Sequence, residues 1–319
     1  MYYAGNGVLM MKLGIVMLLT LVACYPTKER EPQVIIIHKD AYPSVQKIAI
    51  IVEPRAHPLL VPIVQNVMRV LGDDWKIQIF HSVTNEKYIQ DSALRADIES
   101  GKVYLSKMLV ENNISIGIYN SMMTSSYFWE QVLGEEVILF ETDSVMCRSS
   151  GIKLSKFSEN YDYVGAPWGT FKNACYVSRD DRYNKWRVDM SEPTQKYSSK
   201  PIEFFEAQVG NSGFSYRNRK KTLEILTNYV PVNDYYYNFS SDLFYACAFQ
   251  HSASGSRVPS VEQASHFSVE TIMQDAPIGV HKPWLYLKTD EMEKLEVACP
   301  EILILKPYYL EKGHPWGTK

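Results

Sequence analysis

The chain has 319 residues, of which 46% are apolar and 22% charged, and a net charge of −3. That balance belongs to a globular protein with an ordinary core and excludes a disordered chain. Lys and Arg number 33 against 36 Asp and Glu, so the basic excess of a nucleic-acid binder is missing and no nucleic-acid partner is expected.

Residues 13–24 (LGIVMLLTLVAC) form an apolar run behind Lys12. The run is short of the roughly 20 residues that cross a bilayer and suits a signal-peptide core, or a short signal anchor if residues 8–11 are included. Its end, LVAC, also resembles a lipoprotein cleavage box with Cys24 as the lipidated residue, and a buried helix is the remaining reading. Residues 1–26 are therefore read as a signal peptide or anchor giving a membrane attachment, and 27–45 as a stem. Lys28 and Arg30 lie beyond the run, so the positive-inside bias sets no clean orientation.

A single catalytic domain is expected over 46–290, with 291–319 as a C-terminal extension packed on it. The segment 47–52 (KIAIIV) is the near-continuous apolar run of a strand buried on both faces. Leu60, Ile63, Val64, Val67, Met68 and Leu71 recur at helical spacing and stop at Gly72. Strands follow at 77–80 (IQIF) and 103–105, then a helix capped by Ser125 or Ser126, then a buried strand at 137–140 (VILF). This alternation predicts an α/β fold with a mostly parallel sheet flanked by helices. From 149 to 199 loops are expected to dominate, with a short strand at 161–164. A hairpin-like turn is expected at 210–213 (GNSG), and helices near 217–229 and 241–250. Of the five cysteines, Cys147, Cys175, Cys247 and Cys299 lie outside the leader; two disulfides or four buried thiols both fit.

Four elements carry chemistry. In FETD (140–143) a buried strand runs into Glu141 and Asp143, which share a side in extended chain and can converge on Mn2+ or Mg2+. Strand ends are also where open parallel sheets collect ligands. Gly210 and Gly213 can let a ligand approach the backbone, and Asn211 can offer a donor and an acceptor to sugar hydroxyls; a plain tight turn explains the glycines equally well. Asp242 opens a helix, either as a general base or as an acid favoured by the helix dipole. His281 suits Mn2+ and Lys282 can face a phosphate, although a lone His is more often structural.

In this order, IVEPR (51–55), NVM (66–68), QIFH (78–81), FETDS (140–144), YDYVGAPWG (161–169), VGNSGFS (209–215) and GVHKPW (279–284) resemble an uncharacterised family of GT-A-like glycosyltransferases. The resemblance implies a GT-A-like fold and metal-dependent transfer of a sugar from a nucleotide-diphosphate carrier, a UDP-sugar first, to a hydroxyl of a glycan or glycoconjugate, with inversion. It implies Asp143 as the metal-binding acid, Glu141 on the ribose or metal, His281 completing the metal shell and Asp242 as the base. Glu53 and Arg55 fall against the base or diphosphate, with an ion pair between them as the structural alternative. The residue before Asp242 is Ser241, where the family often has Glu, a departure that bears on acceptor positioning.

Such an enzyme expects a Golgi-type lumen in a eukaryote, with a bacterial lipoprotein or secreted protein as the alternative; sequons at Asn113 and Asn238 are compatible with a lumen. The competing function is a non-catalytic carbohydrate-binding surface lipoprotein, favoured by Ser241 and the LVAC box. A two-metal phosphodiester hydrolase ranks last, because the dense Asp/His clusters it needs are missing.

Overall fold

A computed structural model of the chain describes residues 34–38, 42–169, 173–180, 184–189, 201–231 and 240–318. The expected leader with Cys24, most of the expected stem and Asn238 lie outside those residues. Among the described residues no helix is long and apolar enough to cross a membrane.

Strands β1 (Ile36–His38), β2 (Val45–Val52), β3 (Lys76–His81), β4 (Val103–Met108) and β5 (Gly134–Phe140) come first. They are followed by β6 (Ser144–Met146), β7 (Tyr163–Pro167), β8 (Asn173–Asp180), β9 (Lys185–Asp189), β10 (Glu203–Ala207) and β11 (Val209–Asn218). Three short strands close the series: β12 (Tyr229–Pro231), β13 (Ser268–Val269) and β14 (Gly279–His281). A seven-stranded sheet runs in the order β1-β4-β3-β2-β5-β11-β7. Its centre, β4-β3-β2-β5, is parallel. β1 and β11 run against their neighbours and β7 regains the common direction, so the mixed α/β fold has a mostly parallel central sheet.

The apolar run in β2 fails to alternate because both faces are covered. Ala49 and Ile51 join Ile77 and Ile79 beneath Leu60, Ile63, Val64 and Val67 of the helix Leu60–Leu71. Ile48 and Ile50 face the other way, in a cluster with Val137, Leu139, Phe128, Trp129 and Phe244. Each buried Val, Leu, Ile or Phe among them contributes about 1.5–3 kcal/mol by leaving water. The first helix stops at Gly72, whose φ of 76° lets its N–H reach the carbonyl of Met68. Helices at Arg219–Asn228 and Ser241–Gln250 match the expected spans closely, while the one expected from Ser125 is short, at Ser126–Glu130.

Three expectations are corrected. The stretch 36–38 is not stem but the edge strand β1, where Ile36 is buried and Ile37 is exposed. The region 149–199 holds β8 and β9, which join β10 and β12 in a second sheet. Polar residues interrupt the alternation of NACYVSRD and KWRVD, which hid both strands. The GNSG segment is not a hairpin turn: it lies inside β11, whose register against β7 shifts on either side of Asn211. Glycine in a strand marks such irregularities and close approaches as well as turns.

The four cysteines form two disulfides. Cys175–Cys247 ties β8 to the helix Ser241–Gln250, and Cys147–Cys299 ties the end of β6 to the chain after the helix Thr289–Ala298. Trp284 stacks on Trp316 and lies against Tyr309, so the C-terminal segment is held both covalently and by aromatic packing. The Cys147–Cys299 bridge spans 152 residues. Replacing both of its cysteines by Ser should cost about 2–5 kcal/mol in guanidinium unfolding; an unchanged unfolding free energy would contradict the bridge.

Candidate active site

The site begins where β5 ends. Ser144 N–H donates to the carbonyl of Glu141 at 3.1 Å, and Glu141 N–H donates to Ser144 Oγ at 3.0 Å, closing a tight turn. Glu141 and Asp143 therefore converge through a turn and not, as the sequence suggested, through extended chain. From Ser144 the chain enters β6, which pairs antiparallel with β14 and sets His281 opposite Ser144. Lys282 N–H donates to the carbonyl of Asp143 at 3.2 Å. This short ladder carries two late residues to the two carboxylates.

His281 Nε2 lies 3.4 Å from Asp143 Oδ1 and 3.6 Å from Glu141 Oε2, and ligand atoms of all three residues fall within 4.8 Å of one another. Asp143 Oδ1 and both ring nitrogens of His281 are sealed from solvent without a hydrogen-bond partner among the described residues. Buried polar atoms in that condition are costly, and a divalent cation held by these residues would offset the cost. The two-carboxylate, one-imidazole set suits a divalent cation. Lys282 Nζ adds a contact of 3.1 Å to Asp143 Oδ2, from a backbone at φ 47° that a non-glycine residue rarely adopts. Tyr119 OH donates to Glu141 Oε1 at 3.0 Å.

Burial alone would lift the carboxyl pKa values and depress the imidazole. The mutual attraction wins: Asp143 and Glu141 are held below the usual carboxylate range by His281 and Lys282, and His281 is held well above its ordinary value by Asp143, Glu141 and Glu270.

The glycines serve neighbours within the chain. A Cβ on Gly213 would fall 2.2 Å from His281 Nε2, and one on Gly210 would meet Ala246 Cβ at 2.4 Å and the Trp168 ring at 2.9 Å. Gly213 thus makes room for the imidazole and Gly210 for the helix Ser241–Gln250. Asn211 is committed as well: Nδ2 donates to Glu270 Oε1 at 2.7 Å, and Oδ1 accepts from Gly213 N–H at 2.9 Å. Each of its polar atoms keeps one further hydrogen-bonding capacity, and Asn211 lines the cavity beside Asp242.

Asp242 stands on the wall of a cavity of about 300 Å3 with Trp168, Asn211, Glu270, Thr271 and Tyr286. Ser212 Oγ donates to Asp242 Oδ1. Burial raises the Asp242 pKa, opposed by the Ser212 hydrogen bond and reinforced by the charge of Glu141. Ser241 does not face the cavity's polar groups; it is buried, and its N–H and Oγ both donate to Asn120 Oδ1. Trp168, Glu270, Tyr119 and Tyr286 went unnoticed in the sequence. Trp168 sits inside the distinctive VGAPWG, whereas Glu270 follows the two-residue strand β13 and offers almost no signal.

Glu53 and Arg55 form the ion pair of the structural alternative. Arg55 Nη2 lies 2.7 Å and Nε 2.8 Å from the two carboxylate oxygens, and Arg55 N–H donates to Oε1 at 2.9 Å. Neither residue lines the cavity or joins the cation cluster.

Residues 104–281, more than half of the chain, match the family described as a protein of unknown function, DUF5672, and the chain belongs to that family. Glu141, Asp143, Asn211, Asp242, Glu270 and His281 fall within the match; Glu53, Arg55 and Lys282 fall outside it. No curated protein matches the chain. Among solved structures it is similar to the apo form of the glycosyltransferase GlyE of Streptococcus pneumoniae TIGR4, at 11% identity and TM-score 0.41, over 86% of this chain and 66% of that one. It is similar to S. aureus TarS 1-349 in complex with UDP-GlcNAc, at 12% identity and TM-score 0.39, over 81% and 67%. It is also similar to the mannosyltransferase PcManGT of Pyrobaculum calidifontis in complex with GDP-Man and Mn2+, at 14% identity and TM-score 0.37, over 69% and 56%. Likenesses this remote say nothing of activity.

With its pKa raised, His281 carries a proton at neutral pH, and a cation taking Nε2 must displace it. Mn2+ binding is therefore expected to release a proton and to strengthen as pH rises. Calorimetry in two buffers of different ionisation enthalpy checks this; a heat independent of the buffer would contradict it.

Proposed function

We propose that the chain is a GT-A-type glycosyltransferase that moves a sugar from a nucleoside-diphosphate carrier to a hydroxyl of a glycan or glycoconjugate, with inversion. One observation carries the reading. The half-buried carboxylate Asp242 shares the wall of one cavity with Asn211 and Glu270, and Glu270 Oε1 lies 3.3 Å from His281 of the cation-binding trio. The cavity volume lies at the lower end of small-molecule sites, and Trp168 and Tyr286 offer aromatic faces for a sugar ring.

Glu141, Asp143 and His281 would hold Mn2+ or Mg2+, which when bound supplies positive charge at the diphosphate leaving group. Lys282 adds an ammonium on the same side, kept charged by Asp143 and Glu141 although burial alone would neutralise it. Asp242 takes the proton of the acceptor hydroxyl as that oxygen bonds to the anomeric carbon. The bond from that carbon to the diphosphate oxygen breaks, and its electron pair leaves with the diphosphate. Burial makes Asp242 a stronger proton acceptor than an exposed carboxylate, and Ser212 fixes its direction. Arg55, half-exposed beside buried Glu53, is assigned to the base or diphosphate of the donor, with a uridine diphosphate sugar as the first carrier to test.

The proposed setting is an oxidising, Golgi-type lumen, with the N-terminal apolar segment as membrane tether. Two disulfides and the exposed sequon at Asn113 support it.

Asp242→Asn should lower the transfer rate by about 10²–10⁴ while leaving nucleotide affinity unchanged. Full transfer by this variant, or a product with retained anomeric configuration by NMR, would remove Asp242 from the role of base.

A further inference from the structure

Glu270 is the most deeply buried carboxylate of the site, 2% exposed. Its Oε1 accepts from Asn211 Nδ2 at 2.7 Å and lies 3.3 Å from His281 Nδ1, an ion-pair contact to a nitrogen that has no hydrogen-bond partner among the described residues. Its Oε2 is sealed from solvent and has no hydrogen-bond partner among the described residues. The charge of Glu270 is thus balanced at one oxygen, between an amide and an imidazole. Asn211 cannot turn away, because Gly213 N–H holds its Oδ1. Gly213 in turn leaves the space that the imidazole fills. Backbone, amide and carboxylate are hydrogen-bonded in turn, and the carboxylate lies against the imidazole whose Nε2 faces Asp143 and Glu141.

We propose that Glu270 is a positioning residue for the cation site: it accepts the Nδ1–H of His281, fixes the ring plane and presents Nε2 to the ion. An imidazole with Nδ1 pinned as a donor has its Nε2 lone pair free for a cation once the second proton leaves, and a carboxylate partner makes that nitrogen more basic. Glu270 reaches the ion only through His281, and through Asn211 it joins the ion site to the wall of the cavity. This inference rests on the cation site of the proposed function.

The test is Mn2+ affinity of the full chain, without nucleotide, read from the electron paramagnetic resonance of free Mn2+. Glu270→Ala should weaken binding by about 10–100-fold, the usual effect of losing such a partner. Glu270→Leu, which fills the volume without an acceptor, should lose as much. Glu270→Gln keeps an oxygen at Oε1 and should retain most of the affinity. In a His281→Ala background, removing Glu270 should change affinity by less than about twofold, because contacting residues are non-additive. Equal losses with and without His281 would overturn the inference, as would wild-type affinity in a folded Glu270→Leu variant. In either case Mn2+ binding by the wild type leaves the proposed function standing. A wild-type chain that binds no Mn2+ overturns both.

Discussion

The pairing of β14 with β6 is the contact on which the rest of the site depends. Three residues on each strand hold it, with His281 facing Ser144 and the backbone of Lys282 bonded to Asp143. Without that ladder, Glu141 and Asp143 are an acidic turn at the end of a strand, and His281 and Lys282 are loop residues. With it, two anions and two cations are brought together, Asp143 and His281 buried and Glu141 and Lys282 partly exposed, and each holds the other charged against the cost of burial. The ladder is itself clamped: Cys147, the residue after β6, is bonded to Cys299, and Trp284 behind β14 is packed between Tyr309 and Trp316.

Close packing extends the same constraint into the central sheet. His281 can lie against β11 only because residue 213 has no side chain, and the helix bearing Asp242 can lie against it only because residue 210 has none. Residues that looked like openings for a ligand are openings for protein. The consequence for function is positional. His281 packs on β11 at Gly213 and the helix bearing Asp242 packs on it at Gly210, with Asn211 and Ser212 bonded toward each side, so one strand helps set the separation of cation site and base.

The parallel half of the fold was legible because its strands are buried on both faces and read as unbroken apolar runs: KIAIIV, IQIF and VILF all became central strands, and the helix between the first two ended at its glycine. The second sheet was not, because β8 and β9 carry Asn, Arg, Asp and Lys among their apolar positions. Asp143 and His281 were legible as chemistry by residue type, and the structure brings them together. Glu270 was not: a lone acid after a two-residue strand has no periodicity to mark it, and only the fold carries it to the imidazole. The disulfide pairing could not be read either, since spacing alone distinguishes no partner among four cysteines.

The account turns on whether the trio holds the ion that meets a nucleoside diphosphate. Crystals of the chain soaked with Mn2+ and UDP, with data collected at the manganese absorption edge, address this directly. The account predicts one anomalous peak bounded by Glu141, Asp143 and His281, with the diphosphate on its open side. A nucleotide bound elsewhere, or bound with no peak at those three residues, would contradict it.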